Sequence, residues 1–418
     1  MDTTPRPHQI IDVHEGKRLT LPIFFFLIFL VCTFFPHVYT FLPFLGTIKI
    51  ALLAGILLVS TYFFTRHKYQ NTTAYSHPIS KSWLIFMAVL LLGLIYAADR
   101  GLALNRITGL YKIYLMFIIM IKIIDSPRRL DLIMGVFAFC GVGMAIGSIT
   151  GAIIVAGRTM SIGAGLFADP NDLCFLLNCT LPFLLYLFLK KTKRIFVIPG
   201  IIIVINAIVL TFSRGGFLGL CMTGLAFSFL IARKSLIYLL LVLLMAIAFW
   251  SFAPAAYKAR ISTITAFTVD EDTGLTGTRL DTWIPAVKWG LEHPLTGRGP
   301  GSTLYFNGMT RRDWHVTHNA FVQVLAGTGV IGFSCYMLLF IIPLVQYRGF
   351  MRQKAPLSNE DILRIKIIMV SLFSYATTAF FLPQGYSPIL YLLTGFYVIQ
   401  AQLIFRRMAM AVLINESN

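Results

Sequence analysis

His318 closes a long polar stretch and opens an apolar run, a place where one imidazole meets both water and a bilayer surface. A neutral imidazole there can take a proton from a hydroxyl, and His is the usual general base. Arg214, Arg279 and Arg298 fall on the same side of the hydropathy pattern. Guanidinium groups grip phosphate oxygens through two parallel hydrogen bonds. Lys112, Asp172 and Asn319 are further polar candidates for substrate contact. Together these types suit the departure of a sugar from a lipid diphosphate. Negative charge grows on the diphosphate, arginines stabilise it in place of a divalent cation, and the base activates the incoming hydroxyl. That chemistry is glycosyl transfer at a membrane surface.

Plainer roles compete with each of these. A lone His is often structural, and Arg214 in TFSRGG can snorkel to the headgroups. Asp172, in the run Asp169-Pro170-Asn171-Asp172, is placed to cap or charge-complement a helix start. Lys112 reads as lying about two turns from the external end of its span, where it snorkels or touches the same diphosphate. Thr317 is an expected N-cap, which would put His318 in the first turn of the next helix. His315 and His318 stand at i and i+3, yet no carboxylate or cysteine cluster with liganding spacing is close in sequence. The acidic run 270–272 reads as solvated, so neither a metal nor another cofactor is expected.

The elements that must position these residues are membrane spans. The chain is 57% hydrophobic and 12% charged, with a mean hydropathy of +0.78, far outside the make-up of a soluble domain. A spanning helix needs roughly 20 apolar residues. Candidates run over about 20–36, 42–64, 83–98, 105–124, 130–156, 172–190, 195–212, 215–233, 235–253, 319–346, 362–382 and 386–405. The fold class is therefore all-α and polytopic, with about twelve spans. It divides into spans one to nine in 1–253, a loop in 254–317 and spans ten to twelve in 318–418.

The formal charge of +18 marks topology. Arg66 and Lys68, Arg128 and Arg129, Lys190 to Arg194, Arg233 and Lys234, Arg348 to Lys354, and Arg406 and Arg407 all fall in alternate short turns. Basic short loops mark the cytoplasmic side, so both termini are expected inside and the 254–317 loop outside. That loop is nearly charge-balanced, which argues against nucleic acid as a partner. Leu280, Trp283, Ile284, Val287, Trp289 and Leu291 recur at roughly helical spacing within it and predict an amphipathic helix lying on the membrane. The glycine-rich turn LTGRGPGST follows. The six cysteines fall in or beside apolar spans and read as core residues.

Five segments, in order, resemble the O-antigen ligase family of bacterial envelope glycosyltransferases. They are PNDL at 170–173, SRGG at 213–216, TRLDTW at 278–283, HPLTGRGPG at 293–301 and HNAFVQVLAGTGVIG at 318–332. The resemblance implies a GT-C-like fold with one large periplasmic loop containing helices, in the bacterial inner membrane. It implies transfer of a glycan from undecaprenyl diphosphate to the lipid A core oligosaccharide, inverting and metal-independent. Carried over, Arg214 and Arg279 bind the diphosphate and His318 deprotonates or orients the acceptor; Arg298 falls where the family pattern does not always place arginine. O-antigen polymerases share the layout, though one dominant loop ending in a histidine favours the ligase. A transporter would need ionisable residues near the midplane, and Lys112 and Lys49 lack an acidic partner within a span.

Overall fold

The computed structural model describes residues 19–69, 75–155, 158–161, 167, 169–192, 194–231, 279–303, 317–352 and 357–417. The expected ninth span, the first part of the long loop with its acidic run, and His315 lie outside the described residues. The chain is a helical membrane protein. Its long elements are α1 (Leu21–Phe34), α2 (Ile50–Thr65), α3 (Pro78–Gly93), α4 (Arg100–Ile123), α5 (Pro127–Thr150) and α6 (Pro170–Leu189). They continue with α7 (Arg194–Leu210), α8 (Arg214–Leu230), α9 (Arg279–Glu292), α10 (Ala320–Arg352), α11 (Asn359–Ala379) and α12 (Pro388–Ser417). Among the described residues, 6 helices are long and apolar enough to cross a membrane, and α1, α3, α7 and α8 are shorter apolar helices.

Two departures from the expected spans have local causes. The span expected over 130–156 ends at Thr150, and the chain then forms a hairpin of β1 (Ala152–Val155) and β2 (Arg158–Ser161), paired antiparallel with Ala152 opposite Ser161. The β-branched run at 153–155 favours a pleated strand once Gly151 has ended the helix. The fold is thus all-α as expected, apart from this one small hairpin. The span expected over 42–64 is split: short helices Val38–Phe41 and Pro43–Thr47 precede α2, and Pro43, which has no N–H to donate, starts the second of them.

Helix starts are set by side chains that accept backbone N–H groups. His77 caps α3, Asp99 caps α4, Ser126 caps α5, Asp169 caps α6 and Ser213 caps α8. Ser358 and Asp361 form a reciprocal capping box at α11. The core lies among α5, α6, α11 and α12, with Phe137, Phe183 and Phe396 in mutual edge contact. Trp83 of α3 stacks on Tyr391 of α12 at 3.7 Å. Along α2 and α7, Ile56, Phe64, Ile195 and Ile202 are exposed, as suits helices facing lipid tails.

One end of the bundle is basic. Arg129 bonds Asp125 there, and Lys190, Arg364 and Arg407 meet Asp131, Glu360 and Asp361, joining the start of α5, the end of α6, the start of α11 and the end of α12. The candidate chemistry gathers at the opposite end. All six cysteines are free, five of them buried.

Candidate active site

α10 is broken. At Gly329 the backbone leaves the helix, with φ 65° and ψ −166°. Phe321 and Tyr336 stand fifteen residues apart, a separation of about 22 Å along a straight helix, yet their ring centroids are 5.8 Å apart. Phe321 also meets Phe340 at 6.1 Å. The limb 320–328 therefore folds back along the limb 330–352. The span expected over 319–346 lies within Ala320–Arg352 but is broken at Gly329, which takes a conformation open essentially to glycine alone.

The turn after α9 stabilises that break by supplying the hydrogen bonds the broken helix lacks. Arg298 N donates to Ala326 O at 2.9 Å, and Val330 N and Ile331 N donate to Pro294 O at 2.8 and 3.2 Å. Buried backbone groups need such partners. The fit is close: a Cβ on Gly329 would lie 2.5 Å from His293 O, and one on Gly297 would meet the backbone of Thr328. Thus the HPLTGRGPG and LAGTG segments interlock as one unit.

α9 runs beside the first limb. Trp283 donates its indole N–H to Thr317 O at 2.5 Å and packs edge-on against Phe380 at 5.5 Å. Further along, the backbone of Gly290 packs on Leu325. The expected helix is present; Trp283 and Gly290 pack toward α10, while Leu280, Ile284 and Leu291 stay exposed. Arg279 is the first residue of α9, one turn before Trp283.

His318 lies before its helix, contrary to the expectation. Asn319 is the cap: its Oδ1 accepts from Phe321 N at 2.9 Å and Val322 N at 3.0 Å. Asn outranks Thr as a cap, and here it serves two N–H groups at once. The oxygen of Asn319 is therefore committed to the helix, and Thr317 and Asn319 are both buried. Between them His318 is half-buried with φ 44°. A left-handed non-glycine residue is uncommon, and such strain clusters at functional sites.

The connector 380–387 joins the remaining pieces. Gln384 donates to Asp172 Oδ1 at 2.7 Å, and its carbonyl accepts from the Tyr375 hydroxyl at 2.6 Å. Gly385 N donates to Gln323 Oε1 at 3.0 Å, one turn along the limb from His318. Phe381 packs on Gly215, beside Arg214, and Phe380 packs on Trp283. Arg214 opens α8 half-buried, and Asn178 of α6 donates to Gly216 O at 3.1 Å. Asp172 thus lies in the first turn of α6 and bonds Gln384, while Asp169 performs the capping.

The structure brings Arg214, Asp172, His318 and the start of α9 around one connector. Arg298 sits at the other end of the limb, its backbone holding Ala326 and its guanidinium 3.8 Å from Glu292. Lys112 is exposed on α4. It lies more than three turns from the helix start, deeper than the two turns expected, because Asp99 starts α4 at Arg100. Sequence reading overlooked Gln323, Gln384, Tyr386 and Arg106. Arg106 and Leu102 pack on Gly301, and burial pushes the Tyr386 phenol well above its ordinary range, an effect that nearby Arg106 opposes. Only the PQGY run between two apolar segments hinted at them.

Comparison with known families bears on this end of the molecule. Residues 199–337 match the sequence model of the family described as O-antigen ligase. That segment is similar to the O-antigen ligase family, and the rest of the chain lies outside the match. The matched segment holds Arg214, Arg279, Arg298 and His318, and it ends beyond the α10 break. Asp172 and Lys112 fall outside it. A search of curated proteins finds no match.

Proposed function

We propose that this protein transfers a glycan from undecaprenyl diphosphate to the lipid A core oligosaccharide at the periplasmic face of the inner membrane. The observation that carries the reading is the His318 turn, left-handed and set between a buried cap and the start of α9. In this reaction the acceptor oxygen attacks the anomeric carbon, and the bond from that carbon to the diphosphate oxygen breaks. His318 takes the acceptor proton. Attack opposite the leaving group inverts the anomeric centre. Arg214 and Arg279 receive the charge that develops on the departing diphosphate, so no metal is required. Asp172, held by Gln384, orients the acceptor or the arginines. Arg298 and Lys112 are assigned secondary contacts.

The proposed topology has twelve spans in a GT-C-like arrangement, counting residues 235–253 and the short apolar helices. Both termini lie on the basic face, taken as cytoplasmic from the distribution of lysine and arginine. The loop 254–317 then lies outside between its flanking span domains. Reconstitution of the purified protein with lipid-linked glycan and lipid A core oligosaccharide tests the reading. The expected product is capped lipid A core from the wild type, falling about 100- to 10,000-fold with His318→Ala, the usual worth of a general base. A lengthened carrier glycan in place of a capped core would identify a polymerase; normal capping by the variant would remove His318 from the base role.

A further inference from the structure

A cavity of about 450 Å³ lies at the basic end, between the entrance to α3, the second limb of α10 and the end of α12. It belongs to the end opposite the candidate site, since Arg406 on its wall adjoins Arg407, which bonds Asp361 there. Ser76, His77, Gln346, Gln402 and Arg406 supply its polar lining, with Phe405 at its edge. Among the described residues that lining holds no carboxylate.

Hydrogen bonding at its back wall fixes the polarity of the cavity. Ile79 N donates to His77 Nδ1 at 3.2 Å, so that nitrogen is an acceptor. The neutral ring then carries its proton on Nε2, which donates to Gln346 Oε1 at 3.2 Å. With its oxygen engaged by the ring, Gln346 keeps two amide N–H donors that His77 does not use, in a side chain that lines the cavity. His77 is buried, and burial lowers its pKa to about 4, which keeps this arrangement at neutral pH. The wall thus combines a guanidinium, amide donors and a hydroxyl, a set that selects an anion with several acceptor oxygens.

We propose that this cavity binds the phosphate-bearing headgroup of an anionic phospholipid, with Arg406 on the phosphate oxygens and Gln346 and Gln402 donating beside it. Its size is within the range of small-ligand sites, roughly 300–1,000 Å³. The source is a lipid because the mouth adjoins apolar surface: Phe405 is 45% exposed beside it, and Pro78 is exposed at its other edge. Basic pockets between helices at a membrane face are suited to anionic headgroups.

The test uses the whole purified protein in detergent, with dioleoylphosphatidylglycerol, dioleoylphosphatidylcholine or inorganic phosphate added, read by thermal unfolding and by native mass spectrometry of retained lipid. Phosphatidylglycerol is expected to raise the unfolding midpoint and to stay bound, whereas the other two do neither. Arg406→Gln should weaken that binding about tenfold or more, and Arg406→Lys by less, since an ammonium keeps the charge without the two-pronged geometry. Gln402→Met, similar in size, should weaken it too without moving the midpoint in phosphatidylcholine. Equal stabilisation by phosphatidylcholine would remove the headgroup specificity, and equal stabilisation by inorganic phosphate would replace the lipid with a free anion. Wild-type retention of phosphatidylglycerol by Arg406→Gln and Gln402→Met would overturn the site.

Discussion

The two ends of the bundle are built by different means. At the basic end, charges satisfy one another. Arg364 is 3% exposed and bonds Asp131 at 2.7 Å, Glu360 at 2.8 Å and Asp361 at 3.2 Å. Lys190 bonds Asp131 at 2.8 Å, Arg407 reaches Asp361, and Gln400 donates to Asp361 at 3.1 Å. Four helices are tied there by side chains alone. At the opposite end the ties are backbone to backbone, glycine against glycine and amide to carboxylate, around the α10 break. The contrast teaches that a bundle can keep a reactive, strained end only if another end holds its register. Ion pairs buried between helices fix register and resist separation, which leaves the glycine-built end free to take shapes that a regular helix could not.

The largest expected effect that sharpens this contrast is on Arg214. Arg214→Lys should lose transfer nearly as fully as Arg214→Ala, about 100-fold or more, because bidentate recognition of a diphosphate is lost in both. Turnover assays at saturating glycan donor would show it, and wild-type rates from the lysine variant would detach Arg214 from the diphosphate. Next, Asp131→Ala should destabilise by about 3–5 kcal/mol, since it leaves the buried Arg364 with less compensation. Denaturation in mild detergent would measure that loss. If the two ends are separable, the fraction still folded keeps its specific activity.

Gly329→Ala comes third, at about 1–3 kcal/mol, because alanine resists this backbone region and its methyl would meet His293 O. Unlike the Asp131 change, it should lower activity per folded molecule as well, and equal specific activity would sever the break from the site. The smallest effect is a pH dependence at the basic end. The folded-state pKa of His77, about 4, lies below its ordinary 6.5. Between those values the unfolded chain binds a proton that the folded chain does not, so stability present above about pH 6.5 is lost as pH falls toward 4. His77→Asn keeps a capping side chain and should flatten unfolding midpoints measured across that window.

Much of the helical plan was legible because a bilayer demands it. Runs of apolar residues must be helices when no water can satisfy their backbone, and described helices fall on all but the ninth of the expected runs. The apolar runs put three starts late, near 105, 130 and 172, whereas Asp99, Ser126 and Asp169 cap those helices earlier, Asp169 doing the capping expected of Asp172. Less legible were the ends and interruptions. Periodicity does not report that Gly329 is left-handed, since GVIG continues the apolar pattern without a pause. Nor does it distinguish Thr317 from Asn319 as the cap, because both are cap-forming types two residues apart.

The sequence by itself determined that this chain lives in a membrane, which turns carry its positive charge, and that Arg214, Arg279, Arg298 and His318 fall in the segment matching the O-antigen ligase family. Those are local quantities: hydropathy, charge and motif are written residue by residue. Tertiary structure alone decided that α10 folds back on itself, that the turn at 293–301 supplies its missing hydrogen bonds, and that Gln384 and Gln323 link Asp172 to the His318 limb. The physical reason is that each of those contacts joins groups that a regular helix or a local pattern would keep apart, an aromatic pair in α10 and polar pairs between distant segments. Such a pairing has no signature until the chain has closed around it.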